Sequence, residues 1–188
     1  MNIISLYFAV WLVVDLGYKD IHYAIAFSAS MFLAAILMPA LGCLSDGNGR
    51  SDSHRMSGFL GQRRLLFLFI FTAGSVLSVA LFALLPKSAI ILILILFSLS
   101  NFFYEGGMVF YNALLRAVSD ENNVGEVSGF GVALGYMGSI VGMVLVLPFV
   151  TGEIFGWKVP LMEGGGRSAA FLPTAIFFAL FSVPNFLF

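Results

Sequence analysis

The sequence predicts an all-α integral membrane protein, a six-helix bundle forming a single transmembrane domain over residues 1–188. Three observations carry that prediction. First, 60% of the residues are apolar and only 10% are charged, whereas an average soluble domain carries about 25% charged residues. Second, the apolar residues, 21 Phe among them, gather into long runs and raise the mean hydropathy to +1.01. Third, nearly all the charges fall between those runs, and one, Glu105, does not.

The elements follow in chain order. Crossing roughly 30 Å of hydrocarbon at about 1.5 Å per residue takes about 20 apolar residues. The first run, residues 1–16, holds only fourteen residues before Asp15 and covers about 21 Å as a helix. It has no basic segment ahead of it and no A-x-A pattern after it, so it does not read as a signal peptide. It reads as a partial span, a chain that begins part-way through its first transmembrane helix. Runs 23–44, 65–85, 89–115, 127–150 and 169–188 are long enough to cross. Pro86 and Lys87 leave room only for a tight turn between the third and fourth spans. Residues 45–64 form a polar loop that reads as cytoplasmic, and residues 151–168 form an extracytoplasmic loop. The sixth run ends at Phe188 with no flanking charge, so both ends are expected to be cut.

Orientation rests on the basic residues of the short loops. Arg50, Arg55, Arg63, Arg64 and Arg116 fall on one side, and Lys19, Lys87, Lys158 and Arg167 on the other. Arg63 and Arg64 abut the third span directly, which places that loop and both termini in the cytoplasm.

Composition also excludes function classes. A net charge of −1 with scattered basic residues offers no nucleic-acid surface, and no nucleic-acid partner is expected. The single cysteine, Cys43, rules out an internal disulfide or a Cys-rich metal site, and neither His22 nor His54 has a second ligand at helical spacing. No metal and no cofactor are expected. A membrane enzyme fares no better. A rhomboid-type G-x-S-G is absent at Ser128, where Glu126 stands two residues before, and no later helix carries a histidine base. Asp15 and Asp46 lie at helix ends, not paired within the membrane as aspartyl proteolysis requires. Asp46-Gly47 lacks the rest of a phosphotransferase motif.

Glu105 is the most informative residue. An ionisable side chain at bilayer depth marks a substrate, ion or proton pathway by default, and Glu105 lies eleven residues before Arg116, about 16 Å into the membrane. Ser98, Asn101, Tyr104, Glu105, Met108, Tyr111 and Asn112 recur at steps of three and four, forming one stripe of one helix. Lipid cannot satisfy such a stripe, so it faces protein or a water-filled cavity. Asn101, Tyr104, Glu105, Tyr111 and Asn112 are therefore the candidate substrate or proton pathway. The alternative is structural, with Glu105 protonated and hydrogen-bonded to a neighbouring helix.

Two further patterns stand out. Gly131/Gly135 and Gly138/Gly142 are small-xxx-small pairs on the fifth span, expected to let another helix approach closely and, as the weaker reading, to contact a ligand. Pro39, Pro148, Pro173 and Pro184 each remove a backbone donor and are candidate kinks. The loop after the second span places Asp46 near Arg50, Arg63 and Arg64, a set that could latch the membrane surface or simply be solvated.

Gly42, Leu44, Asp46, Gly49 and Arg50 together resemble the cytoplasmic signature loop, G-x-L-S-D-x-x-G-R, of the major facilitator superfamily. Gly47 replaces the usual basic residue after the Asp. Gly61-Gln62-Arg63-Arg64 is an alternative basic end displaced by an insertion, and the sequence leaves Arg50 and the Arg63/Arg64 pair open. Tyr111-Asn112-Ala113-Leu114-Leu115, followed by Ser128-Gly129-x-Gly131-x-Ala133-x-Gly135-Tyr136-x-Gly138, is similar to the vacuole-effluxer-like branch, whose members include autophagy-related amino-acid effluxers. Arg116 stands where that branch commonly has Pro. The resemblance runs from about Tyr23 onward. A Tyr-Asp-Trp-Ala-Asn-like segment usual in the branch's first helix is missing.

The resemblance implies the N-terminal half of a twelve-helix secondary transporter that works by alternating access. It also implies a small-molecule substrate; members of the branch are associated with efflux of amino acids, and many bacterial members have no assigned substrate, while Glu105, if desolvated, would suit a coupling proton. Gly42, Asp46 and either Arg50 or Arg63/Arg64 would form the gating loop, and the partner across the two halves would lie in a missing C-terminal six-helix half. The membrane would be a bacterial inner membrane or, in a eukaryote, the vacuolar membrane. The competing class is a membrane structural or assembly protein that transports nothing.

Overall fold

The computed structural model describes residues 2–46, 55–118, 123–154, 157–158, 165–183 and 186. Among the described residues six α-helices follow one another: α1 (Asn2–Val10), α2 (Asp20–Asp46), α3 (Arg55–Leu84), α4 (Ile90–Val118), α5 (Val124–Thr151) and α6 (Phe171–Ser182). A two-residue antiparallel pair, β1 (Glu153–Ile154) and β2 (Trp157–Lys158), decorates the turn after α5. The chain is an all-α membrane protein. Among the described residues, stretches of α2, α3, α4 and α5 are long and apolar enough to cross a bilayer, while Ile3–Asp15 and Arg167–Ser182 are shorter apolar helices.

Why these residues form helices is plain from the medium: in hydrocarbon every backbone N–H and C=O must be paired within its own segment. The ends are set by local chemistry. α1 continues as a π-helical turn over Trp11–Asp15, where Leu16 N–H bonds Trp11 O at 3.1 Å. Gly17 then takes a left-handed φ of 71° that lets the chain reverse into α2. α5 stops at Gly152, whose φ of 75° is open to glycine and whose N–H caps Pro148 O at 2.8 Å. Pro39 and Pro148 lie inside helices, whereas Pro173 sits in the first turn of α6, where its missing N–H costs little. Pro184 lies outside the described residues.

The loop expected at 45–64 is shorter in the structure. α2 runs through Asp46, and α3 already begins at Arg55, so both helices project past their apolar spans. Polar residues at the ends of a helix continue it readily once water can solvate them.

Two buried clusters hold the bundle. Near the turns that join α1 to α2 and α3 to α4, Phe8 and Trp11 of α1 pack with Val79 and Phe82 of α3, Phe97 of α4 and Phe171 of α6. Phe8 stacks on Phe97 with ring centroids 4.1 Å apart. Toward the other end, Met38 of α2 meets Leu68 and Phe71 of α3 and Phe102 and Phe110 of α4. α4 is thus the central element, flanked by α2 and α3. α5 is the least enclosed: 6% of its central stretch is buried, against 22% to 39% in α2, α3 and α4.

Candidate functional site

The polar residues of α4 divide between two neighbours. Ser98 and Asn101 face α2. Ser98 Oγ donates to Ala26 O at 2.8 Å, and Asn101, 2% exposed, donates through Nδ2 to Ser30 Oγ at 2.7 Å. Farther along the same helix, Tyr104, Met108, Tyr111 and Asn112 face α5. They line a cleft of about 450 Å³ whose opposite wall is Val127, Ser128, Gly131, Val132, Gly135 and Tyr136. The stripe anticipated as one surface is therefore two: one a satisfied helix–helix contact, the other an open polar wall.

Glu105 sits where they part. It is the sixteenth of the 29 residues of α4 and is half-buried. No hydrogen bond or ion pair engages its carboxylate among the described residues. Its neighbour Gly106 turns the other way: a Cβ there would run into the Phe71 ring of α3 and come within 2.9 Å of Met38.

Tyr104 also lines a second cleft of about 660 Å³, shared with Gly135, Gly138, Ser139 and Gly142 of α5, Ile3 of α1, and Thr174 and Phe178 of α6. The four glycines behave differently from one another. A Cβ at Gly142 would lie 2.9 Å from Ile3, and one at Gly131 would touch the Tyr111 hydroxyl at an ordinary 3.6 Å. Gly135 and Gly138 have nothing within 4 Å of that position. Within this chain a neighbouring helix comes close at Gly142 and leaves open space at Gly135 and Gly138, where α5 stands at the margin of the bundle.

Further tight approaches lie between α3 and α4. Besides Gly106, Gly74 would place a Cβ 2.9 Å from the Phe103 ring, and Ser75 Oγ donates to Ser100 O at 3.1 Å. Gly106 has no small residue four positions away, so spacing alone did not single it out, whereas Gly74 pairs with Ser78 at that spacing. Ser30, the partner of Asn101, was equally silent, one of two serines in the apolar middle of α2.

The gating-loop candidates are placed in part. Asp46 is the last residue of α2, and Arg50 lies outside the described residues. Gly42 is half-buried near the end of α2, and Arg63 is exposed on α3. Arg64 is half-buried and donates from Nη1 to Ala113 O of α4 at 3.3 Å, tying the start of α3 to the end of α4 beside Tyr111 and Asn112. At the opposite end Arg167 pairs with Asp15, joining the π-helical turn of α1 to the turn ahead of α6.

This bundle has a likeness among known proteins. It is 30% identical over 162 residues to a protein of Bacillus subtilis (strain 168) described as "Uncharacterized MFS-type transporter YxiO". The chain resembles an MFS-type transporter. That likeness covers 86% of this chain and 34% of the relative, so the chain spans about a third of the length of the curated relative it matches, and it supports the major facilitator superfamily. No family model matches the sequence, and no solved structure matches it.

Proposed function

We propose that the chain supplies the first six helices of a twelve-helix secondary transporter of the major facilitator superfamily, in its vacuole-effluxer-like branch. The transported species is a small solute, with amino-acid efflux favoured by the branch resemblance. The observation that carries this reading is the open wall of Tyr104, Tyr111 and Asn112 on a helix that crosses the membrane, with Glu105 beside it. Hydroxyls, an amide and a carboxylate at that depth cannot be left to lipid. They require water, a solute or another protein surface. The exposed α5, with open space over Gly135 and Gly138, suits a smooth face against which a second six-helix half rocks. Alternating access then exposes the cleft to each side in turn.

In this reading Glu105 takes up and releases the coupling proton, and Asn101 holds α4 to α2 while the lower half of α4 handles the solute. Asp46 with Arg50 or the Arg63/Arg64 pair locks one state at the cytoplasmic surface. Both termini lie in the cytoplasm of a bacterial inner-membrane protein or face the cytosol from a vacuolar membrane.

The test is transport by the full-length gene product in liposomes across a pH gradient, with and without Glu105→Gln. Loss or uncoupling of flux with normal membrane expression is expected. Undiminished, still pH-coupled flux in the variant would overturn the role of Glu105. Absence of flux for every amino acid and small solute offered to the wild-type protein would favour a structural or assembly role.

A further inference from the structure

A third cavity, of about 470 Å³, shares no lining residue with the two clefts described above. It lies at the end of the bundle that carries the α3–α4 turn and the Asp15–Arg167 pair, among Phe82 of α3, Lys87 of the turn, and Ser168, Phe171 and Leu172 at the start of α6. Trp11 of the π-helical turn also lines it. Its side chain is 3% exposed, and its indole N–H has no acceptor in the protein among the described residues.

The polar side chains around this space are all able to donate: an ammonium, a hydroxyl and an indole N–H. Among the described residues, none that lines it carries a carboxylate. Arg167, adjacent to Ser168, is committed to Asp15. Lys87 is exposed, and no hydrogen bond or ion pair engages it among the described residues. A rim of an ammonium, an indole N–H and a hydroxyl that can donate, with no carboxylate against the ammonium among the described residues, is complementary to an oxygen-rich anion. The rest of the lining is aromatic and aliphatic, running from the last turn of α3 at Phe82 and Ala83 to Ile176, halfway along α6. Lys87 belongs to a turn between two antiparallel membrane helices, the depth at which headgroups lie.

We propose that this cavity binds the anionic headgroup of an amphiphile, phosphate or carboxylate, at Lys87 and Ser168, with its chain laid over Phe82 and Leu172. The site requires only the membrane character of the chain and stands apart from the transport reading. The same anion chemistry could be met by a free phosphate ion, and the experiment separates the two.

The full chain carrying Trp157→Phe retains Trp11 as its single tryptophan. It is reconstituted in phosphatidylcholine vesicles containing a minor fraction of lipid brominated on its acyl chains, either phosphatidylglycerol or phosphatidylcholine. Trp11 is expected to be quenched about fivefold more effectively per brominated phosphatidylglycerol, the preference one lysine confers on an anionic headgroup. Lys87→Gln should bring the two lipids to equality, Lys87→Arg should keep the preference, and Lys19→Gln, at the same end but outside the cavity, should leave it unchanged. If inorganic phosphate relieves the quenching, a soluble anion also occupies the site; if it does not, the lipid is the ligand. Equal quenching by both lipids in the protein with Lys87 intact, or an equal effect of Lys19→Gln and Lys87→Gln, would overturn the proposal.

Discussion

Asn101 and Ser30 form a buried hydrogen bond 2.7 Å long between α4 and α2, each side chain 2% exposed. Ser30 in turn donates to Phe27 O at 2.6 Å, so the bond ends in the backbone of α2 and leaves no loose hydroxyl proton. The amide at 101 is therefore a fastener, whereas Asn112, on the same helix, faces open space.

A double-mutant cycle of Asn101→Ala and Ser30→Ala should return a coupling of about 0.6 kcal/mol, and at most about 1.7 kcal/mol, the range of hydrogen bonds between membrane helices. Reversible unfolding in mixed micelles measures it. Zero coupling would show that the two side chains do not meet.

Gly106→Ala should destabilise the bundle by about 1–3 kcal/mol, because the new methyl runs into the Phe71 ring and neighbouring Met38. Phe71→Leu, made in addition, should recover part of the loss. Gly135→Ala and Gly138→Ala, which have open space, should stay within about 0.5 kcal/mol in the isolated chain. The same unfolding assay ranks all four.

The α4–α5 cleft should admit water. In a Cys43→Ser background, needed because Cys43 is exposed, cysteines at Asn112 and Ser128 should react with a membrane-impermeant thiol reagent. A cysteine at Phe102, 8% exposed in the α2–α3–α4 core, should not. Protection of both cleft positions would mean that the cleft is closed or filled.

Asp15 and Arg167 are both partly exposed, which limits the pair to about 0.2–1 kcal/mol. Neutralising either side chain alone should lower stability by that amount, and exchanging the two residues should keep the pair. The effect should shrink in high salt.

Much of the fold was legible because the bilayer imposes a simple rule. Long uncharged runs such as 127–150 have to be helices, and α5 spans Val124–Thr151 accordingly. The polar residues of α4 were legible for a related reason: Asn101, Tyr104, Glu105 and Tyr111 stand out against hydrocarbon, although their helical spacing did not show that Asn101 faces α2 and the tyrosines α5. The first run was less typical, since a π-helical turn over Trp11–Asp15 alters the facing of the residues after it and no composition signal announces one.

What the sequence by itself determined is the class of protein, the placement of its apolar spans and the candidate polar surface, because each depends on single side chains against one solvent. Only the tertiary structure decided which half of that surface is satisfied and which is open. It also showed that the close glycine contacts lie at Gly74 and Gly106 rather than at Gly135 and Gly138. These are properties of pairs. A serine in an apolar helix and a lone glycine carry no signal until another helix brings Asn101 or Phe71 against them.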